Sequence, residues 1–180
     1  ANIRELGKNH IGEEVILWKV SPNSEGTHSG GFGSSYKNIN HTQDYRLSIW
    51  MKKTNSNDGH SYFKLTSYSG GAHHTLKLNG TVQAWPQFWY GDLPKLDRWY
   101  LLVGYVHNSN YSSSVNQGKI YDGVTGEVVQ SITDYKFKST ATNLQHRAFL
   151  YRDTNINDRQ YMYAPRIEEV DGSEWTIEQL

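Results

Sequence analysis

Apolar and polar positions alternate along most of the chain. From Asp44 it reads DYRLSIWMKK, and a period of two sets Tyr45, Leu47, Ile49 and Met51 on one face against Arg46, Ser48, Trp50 and Lys52 on the other. Further strands read at residues 14–20 (EVILWKV), 61–68 (SYFKLTSY), 98–107 (RWYLLVGYVH), 118–121, 127–132, 146–152 and 160–170. Turn clusters separate them, among them SPNSEG, NSNDG, SGG and DGVTG. RWYLLVGYVH is apolar on both faces, which predicts a central strand covered on both sides. DYRLSIWMKK carries charge on one face, which predicts that this face meets solvent or a ligand. Pro165 falls inside the last strand and predicts an edge or a bulge there. Residues 172–180 predict a short helical turn capped by Ser173. Eight short strands with regular turns predict an all-β fold, a two-sheet antiparallel β-sandwich, with residues 1–180 as one domain.

Composition narrows the function. The 180 residues hold 18 Lys+Arg against 18 Asp+Glu and no Cys. A net charge of zero disfavours nucleic-acid binding driven by phosphate neutralisation. The absence of Cys removes disulfides, thiolate zinc sites and Cys nucleophiles, and is compatible with an extracellular protein. The opening Ala1-Asn2-Ile3-Arg4-Glu5 is polar and carries no apolar signal core. No stretch approaches the ~18 apolar residues of a membrane helix, so no membrane insertion is expected. Aromatic residues are abundant, with 6 Trp, 13 Tyr and 5 Phe. Such rings fill sandwich cores, and they also stack on sugars while offering a polar tip.

Four rings fall within six residues in WPQFWY, beside Asp92 and a proline turn. Read as a loop, this segment makes Trp85, Trp89 and Tyr90 candidate platforms for the C–H face of a sugar. Alternatively, its rings plug one end of the sandwich. A second candidate is the polar face of the strands. Arg46, Trp50 and Lys52 share one face, Lys64 and Tyr68 another, and Arg147 and Tyr151 a third. If these strands lie in one sheet, they give a ring-and-cation surface suited to hydroxyl-rich or carboxylated polymers; otherwise the face is solvated and carries ordinary cross-strand pairs. Tyr111 and His107 add a further ring and hydrogen-bonding group. The run DTNIND places the oxygens of Asp153, Asn155 and Asp158 at spacings that calcium loops use, yet it lacks their glycine and closing Glu, and the Asx-rich hairpin turn is the favoured reading. Glu168, Glu169 and Asp171 are a second calcium option. The eight His show no metal-ligand spacing, and no Gly-x-Ser-x-Gly elbow or phosphate loop is present. His107, Arg147 and Tyr151 are the residues from which a β-eliminating site on a uronate polymer would be assembled.

The segment YRLSIWMK resembles the Y-x-L-S-x-W-x-K strand of galactose-binding-like jelly-roll carbohydrate-binding modules, and PRIEEVDG is similar to their last strand. DLPKLDRWYLLVGYVH, GKIYDGVTGEVV and HRAFLYRDTNINDRQYMYAPRIEEVDG are similar to non-catalytic modules of secreted polysaccharide-degrading proteins and of phage tail fibres. The likeness runs from about Glu14 onward. It implies a two-sheet jelly roll that binds a polysaccharide or surface glycan without chemistry, carries a structural calcium, and is attached to a larger enzyme or to a fibre. The opening here departs from the acidic N-G-x-F-E pattern of such modules. The rival expectations are the receptor-binding tip of a tail fibre, a jelly-roll polysaccharide lyase, and a spacer domain in which Trp85 and Trp89 are both buried.

Overall fold

β-branched and aromatic residues in alternating runs, broken by Gly and Asx turns, produce sixteen short strands and one 3-10 turn among the described residues. A computed structural model describes residues 2–26 and 28–180. The strands are β1 (Asn2–Lys8), β2 (Glu14–Val20), β3 (His28–Gly33), β4 (Lys37–Asn38), β5 (Tyr45–Thr54), β6 (His60–Thr66), β7 (Tyr68–Ser69), β8 (Ala72–His73), β9 (Thr75–Lys77), β10 (Gln87–Gly91), β11 (Tyr100–His107), β12 (Lys119–Asp122), β13 (Val128–Ser131), β14 (Tyr135–Phe137), β15 (Asn143–Tyr151) and β16 (Arg159–Glu169). Among the described residues they form two sheets and a hairpin. The larger sheet runs β1-β2-β16-β5-β11-β12-β13, with β14 parallel to β11 and β9 beyond it. The smaller runs β10-β6-β15-β3, with β4 against β15. The result is an antiparallel β-sandwich of jelly-roll type. No helix among the described residues is long and apolar enough to cross a membrane.

The core lies between the sheets. Tyr45, Leu47, Ile49 and Met51 of β5 meet Phe63 and Leu65 of β6 and Leu144, Ala148 and Leu150 of β15. Fully burying each large apolar side chain contributes ~1.5–3 kcal/mol. β11 is central and covered on both sides, as its pattern predicts: Tyr100, Leu102 and Val106 enter this core, and Leu101 and Val103 enter a second cluster.

That second cluster overturns one expectation. The other face of β5 is largely withdrawn from solvent, because segments from both ends of the chain cover it and leave beside Trp50 a pocket of about 330 Å³ walled by His10, Tyr121, Gly123, Ile177 and Leu180. His10 stacks on Trp50 at 3.8 Å, and the Trp50 indole N–H donates to the Leu180 carbonyl at 2.9 Å. Arg46 is paired with Glu168 at 2.8 Å and donates to the Trp175 carbonyl. Lys52 lies over the Trp99 ring, 4.9 Å from its centroid. Pro165 marks a bulge: the β16–β5 register shifts between Tyr163 and Arg166, and Ala164 takes a positive φ of 48°. The terminal turn begins later than Ser173, at Ile177–Gln179, with the Thr176 N–H donating to the Gln179 side chain.

Candidate functional site

The outward face of the smaller sheet carries the candidate site. Its strands are HSGGFG, KN, HSYFKLT, QFWYG and NLQHRAFLY. With Phe63, Leu65, Ala148 and Leu150 turned inward, alternation turns Tyr62, Lys64, Arg147, Phe149 and Tyr151 outward. Cross-strand register then sorts them into rows. One row is Gln87–Lys64–Arg147–Gly33. The next is Tyr90–Tyr62–Phe149–Gly31. Gly31 is required by close approach, since a Cβ there would sit 2.4 Å from the Phe149 ring. Of WPQFWY, Trp85 and Pro86 lie in the loop before β10 and only QFWY is edge strand; the register shift between Gln87 and Trp89 is what sets Gln87 and Tyr90 beside Lys64 and Tyr62 while Phe88 and Trp89 are buried.

The rings form a connected surface. Tyr90 stacks on Tyr62 at 5.4 Å, and Tyr62 meets Tyr151 at 5.0 Å. The Lys64 ammonium stands 6.0 and 5.9 Å from the Tyr62 and Tyr151 centroids, and the Arg147 guanidinium lies 4.6 Å from that of Phe149. Burial, and after it the charge of Arg147, hold Lys64 below the usual lysine range. Burial raises the Tyr151 phenol, the Arg147 charge acting against it.

At the far end the surface dips into a cleft of about 290 Å³ lined by Tyr36, Thr66, Tyr68, His73, Trp85 and Arg147. The β7–β8 hairpin builds one wall. Gly70 and Gly71 both have positive φ, 56° and 78°, the conformation a two-residue hairpin turn demands, and this sets Tyr68 directly opposite His73. His73 packs edge-on against Trp85 at 5.1 Å. Trp85 also lines a second, larger cleft of about 520 Å³ along the β10 edge, so its ring forms the lip between the two. It is 60% exposed and Tyr90 59%, whereas Trp89 is 7% exposed and belongs to the core.

Of the residues singled out from the sequence, Trp85, Tyr90, Tyr68, Lys64 and Arg147 therefore share one surface, joined by Tyr151. Trp89 leaves the set because it is buried. Trp50 leaves it because it sits on the other sheet beneath His10 and Leu180. His107 and Tyr111 also lie elsewhere. His107 is buried on β11, held by Asp134 at 2.8 Å and Asp44 at 3.2 Å, with Tyr111 stacked on it at 3.7 Å. The set of His107, Arg147 and Tyr151 consequently does not converge. The spacer expectation fails at Trp85. Tyr62, Phe149, Tyr36 and His73 belong to the surface without having been singled out; the alternation of SYFKLT and HRAFLY carried the signal for the first two.

Three of the four metal candidates, Asp153, Asn155 and Asp158, share one loop, and Asp171 lies apart. Asp153 and Asp158 are buried together, but the Lys53 ammonium stands between them, 3.2 and 3.6 Å from their carboxylates, where a cation would sit. Asn155 donates to Asp58 at 3.2 Å. Asp171 accepts from Ser173 at the opposite end of the eleven-residue β16, about 35 Å away at the usual strand rise. Glu168 is held by Arg46 and Arg166. These residues do not fit a calcium ion as a set, and among the described residues no group of three or more His, Asp or Glu converges on one point.

No family model matches the sequence, and no curated protein matches it at a significant level. Similar solved structures include an exo-β-agarase (TM-score 0.53, 11% identity, 93% of this chain and 22% of that one), the cellulose-induced protein Cip1 (TM-score 0.49, 12% identity, 93% and 86%) and a CBM4 structure (TM-score 0.43, 9% identity, 93% and 90%). The chain thus spans about a fifth of the agarase's length. At these identities the likeness shows the fold, and the agarase match carries it.

Proposed function

We propose that this chain is a non-catalytic carbohydrate-binding module that acts outside the cell, attached to a larger protein, and holds a polysaccharide against the outward face of its smaller sheet. The observation that carries this reading is the alignment of exposed Trp85, Tyr90 and Tyr68 with Lys64 and Arg147 on one face, ending in the cleft between Tyr68 and Trp85. A sugar ring offers C–H groups to a flat aromatic face and hydroxyls to the side chains at its rim. Trp85 supplies the most exposed ring, and Gln87, His73 and the Tyr68 phenol surround it with donors and acceptors. One such site binds weakly, and attachment to a partner on the same polymer raises its effective affinity.

Screening the purified chain against a glycan and polysaccharide array tests this. Trp85→Ala is expected to weaken binding about tenfold or more, as loss of an exposed anchor ring does, and Tyr90→Ala by less. Both should leave the fold intact by circular dichroism. Trp89→Ala is expected to act differently, costing ~3–5 kcal/mol of stability as a core truncation. The reading fails if no polymer binds, or if binding survives Trp85→Ala and Tyr90→Ala together.

A further inference from the structure

We infer that the polymer taken by this face is acidic, a polysaccharide carrying carboxylate or sulfate groups, and that Lys64 and Arg147 are its paired anion contacts. This rests on the binding role proposed above. The five strands of the smaller sheet contain no Asp or Glu at all, while strands of the larger sheet carry Glu5, Glu14, Asp122, Glu168 and Glu169. The chain has as many acidic as basic residues, so this segregation is not a shortage of acid. Lys64 and Arg147 stand directly opposite each other in the β6–β15 register. Like charges so placed repel. The protein neutralises the other two buried cations of its described residues, Arg46 with Glu168 and Lys53 with two Asp, whereas half-buried Lys52 and Lys136 rest on ring faces and on a carbonyl without a carboxylate. Among the described residues no carboxylate lies within 4 Å of Lys64 or Arg147. Lys64 is only 7% exposed, and a lysine that deep ordinarily has an anion. Its neighbours are the faces of Tyr62 and Tyr151 and the guanidinium of Arg147. Burial together with the Arg147 charge weakens its hold on the proton, and a bound anion would restore it.

The geometry also sets how the polymer would lie. Arg147 lines the cleft that Trp85 and Tyr68 flank, so a sugar stacked on Trp85 brings its ring substituents toward the guanidinium, whose fork matches a carboxylate or sulfate. Lys64, one strand away, meets the anion of a neighbouring unit. Gly33, on the far flank of Arg147, adds no side chain to block that approach.

The test compares polymers that differ only in charge. Calorimetric titration of the full chain would use polygalacturonate beside its methyl-esterified form, and a sulfated galactan beside its desulfated form. At least one charged polymer is expected to bind ten or more times tighter than its neutral twin, with affinity falling as salt rises; which pair shows this tells carboxylate from sulfate. Lys64→Met and Arg147→Met should each remove most of that preference. Lys64→Met should also raise the melting temperature by relieving the repulsion, so loss of binding would not be loss of fold. Equal affinity for charged and neutral forms would overturn the inference and leave the module reading standing. Failure to bind any polymer would overturn both, and tighter binding to a single-stranded oligonucleotide than to every polysaccharide would overturn the acidic-sugar assignment.

Discussion

Replacing Lys53 by Met is expected to cost the fold ~3–5 kcal/mol at pH 7, the effect of removing one partner from a buried charge cluster. Lys53 is 2% exposed, and Asp153 and Asp158 are fully buried. Its ammonium also donates to the Asp58 carbonyl, so it ties the end of β5 to the loops before β6 and β16. Burial raises the Asp153 carboxyl, whereas hydrogen bonds from Ser56 and Asn55, with the charge of Lys53, outweigh burial and lower that of Asp158. Without the lysine, two carboxylates would face each other with only hydroxyl and amide donors, and one would take up a proton. The loss should therefore shrink as pH falls toward 5. Urea denaturation of Lys53→Met at pH 7 and pH 5 measures both effects, and a loss below 1 kcal/mol at pH 7 would contradict the assignment. Calcium and chelator are expected to leave the wild-type transition unmoved, because the ammonium already stands between the carboxylates.

Lys53 also shows where sequence reading stopped. The period of two that placed Tyr45, Leu47, Ile49 and Met51 inward places Lys53 inward as well. A lysine on a core-facing position requires a buried counter-charge, and DTNIND was the segment able to supply it; the same spacing instead read as an Asx-rich turn or a metal loop. The sandwich, the doubly covered β11 and the bulge at Pro165 were legible because each follows from local pattern or from proline's missing donor. The covering of Trp50 was not, since His10 and Leu180 lie 40 and 130 residues away and only the folded chain brings them there. The ring-and-cation surface was half legible. Alternation assigned Lys64, Arg147 and Tyr151 to outward faces, but their sharing one sheet depends on the β6–β15 pairing, a long-range register that no local signal sets. Trp85 and Trp89 are alike in composition and context, but Trp85 lies exposed in the bend before β10 while Trp89, past the bulge, enters the core.

His146→Leu is expected to stabilise the protein, and most of all in acid. The ring is buried on the inward face of β15, edge-on to Phe32 at 5.6 Å and Phe63 at 5.5 Å, and neither nitrogen has a hydrogen-bond partner. Burial pushes its pKa down to about 3, against 6.5 in an open chain. Between those values the unfolded chain binds a proton that the native ring refuses, so stability falls as pH falls, by ~1.4 kcal/mol per unit once well below 6.5. Leucine binds no proton and leaves no unpaired nitrogen. The variant should gain about 2 kcal/mol more over wild type at pH 5 than at pH 7.5. His107 works in the opposite direction. Burial disfavours its charge, but hydrogen bonds and charges from Asp134 and Asp44 prevail and raise its pKa. Its contribution is complete below about 6.5 and is lost as pH rises through the raised value. Of the two histidines, His146 thus lowers stability as pH falls and His107 lowers it as pH rises. Chemical denaturation across pH 5–9 should show His146→Leu flattening the acid limb alone, with the alkaline limb kept. An unchanged acid limb would mean that His146 does take its proton in the folded core.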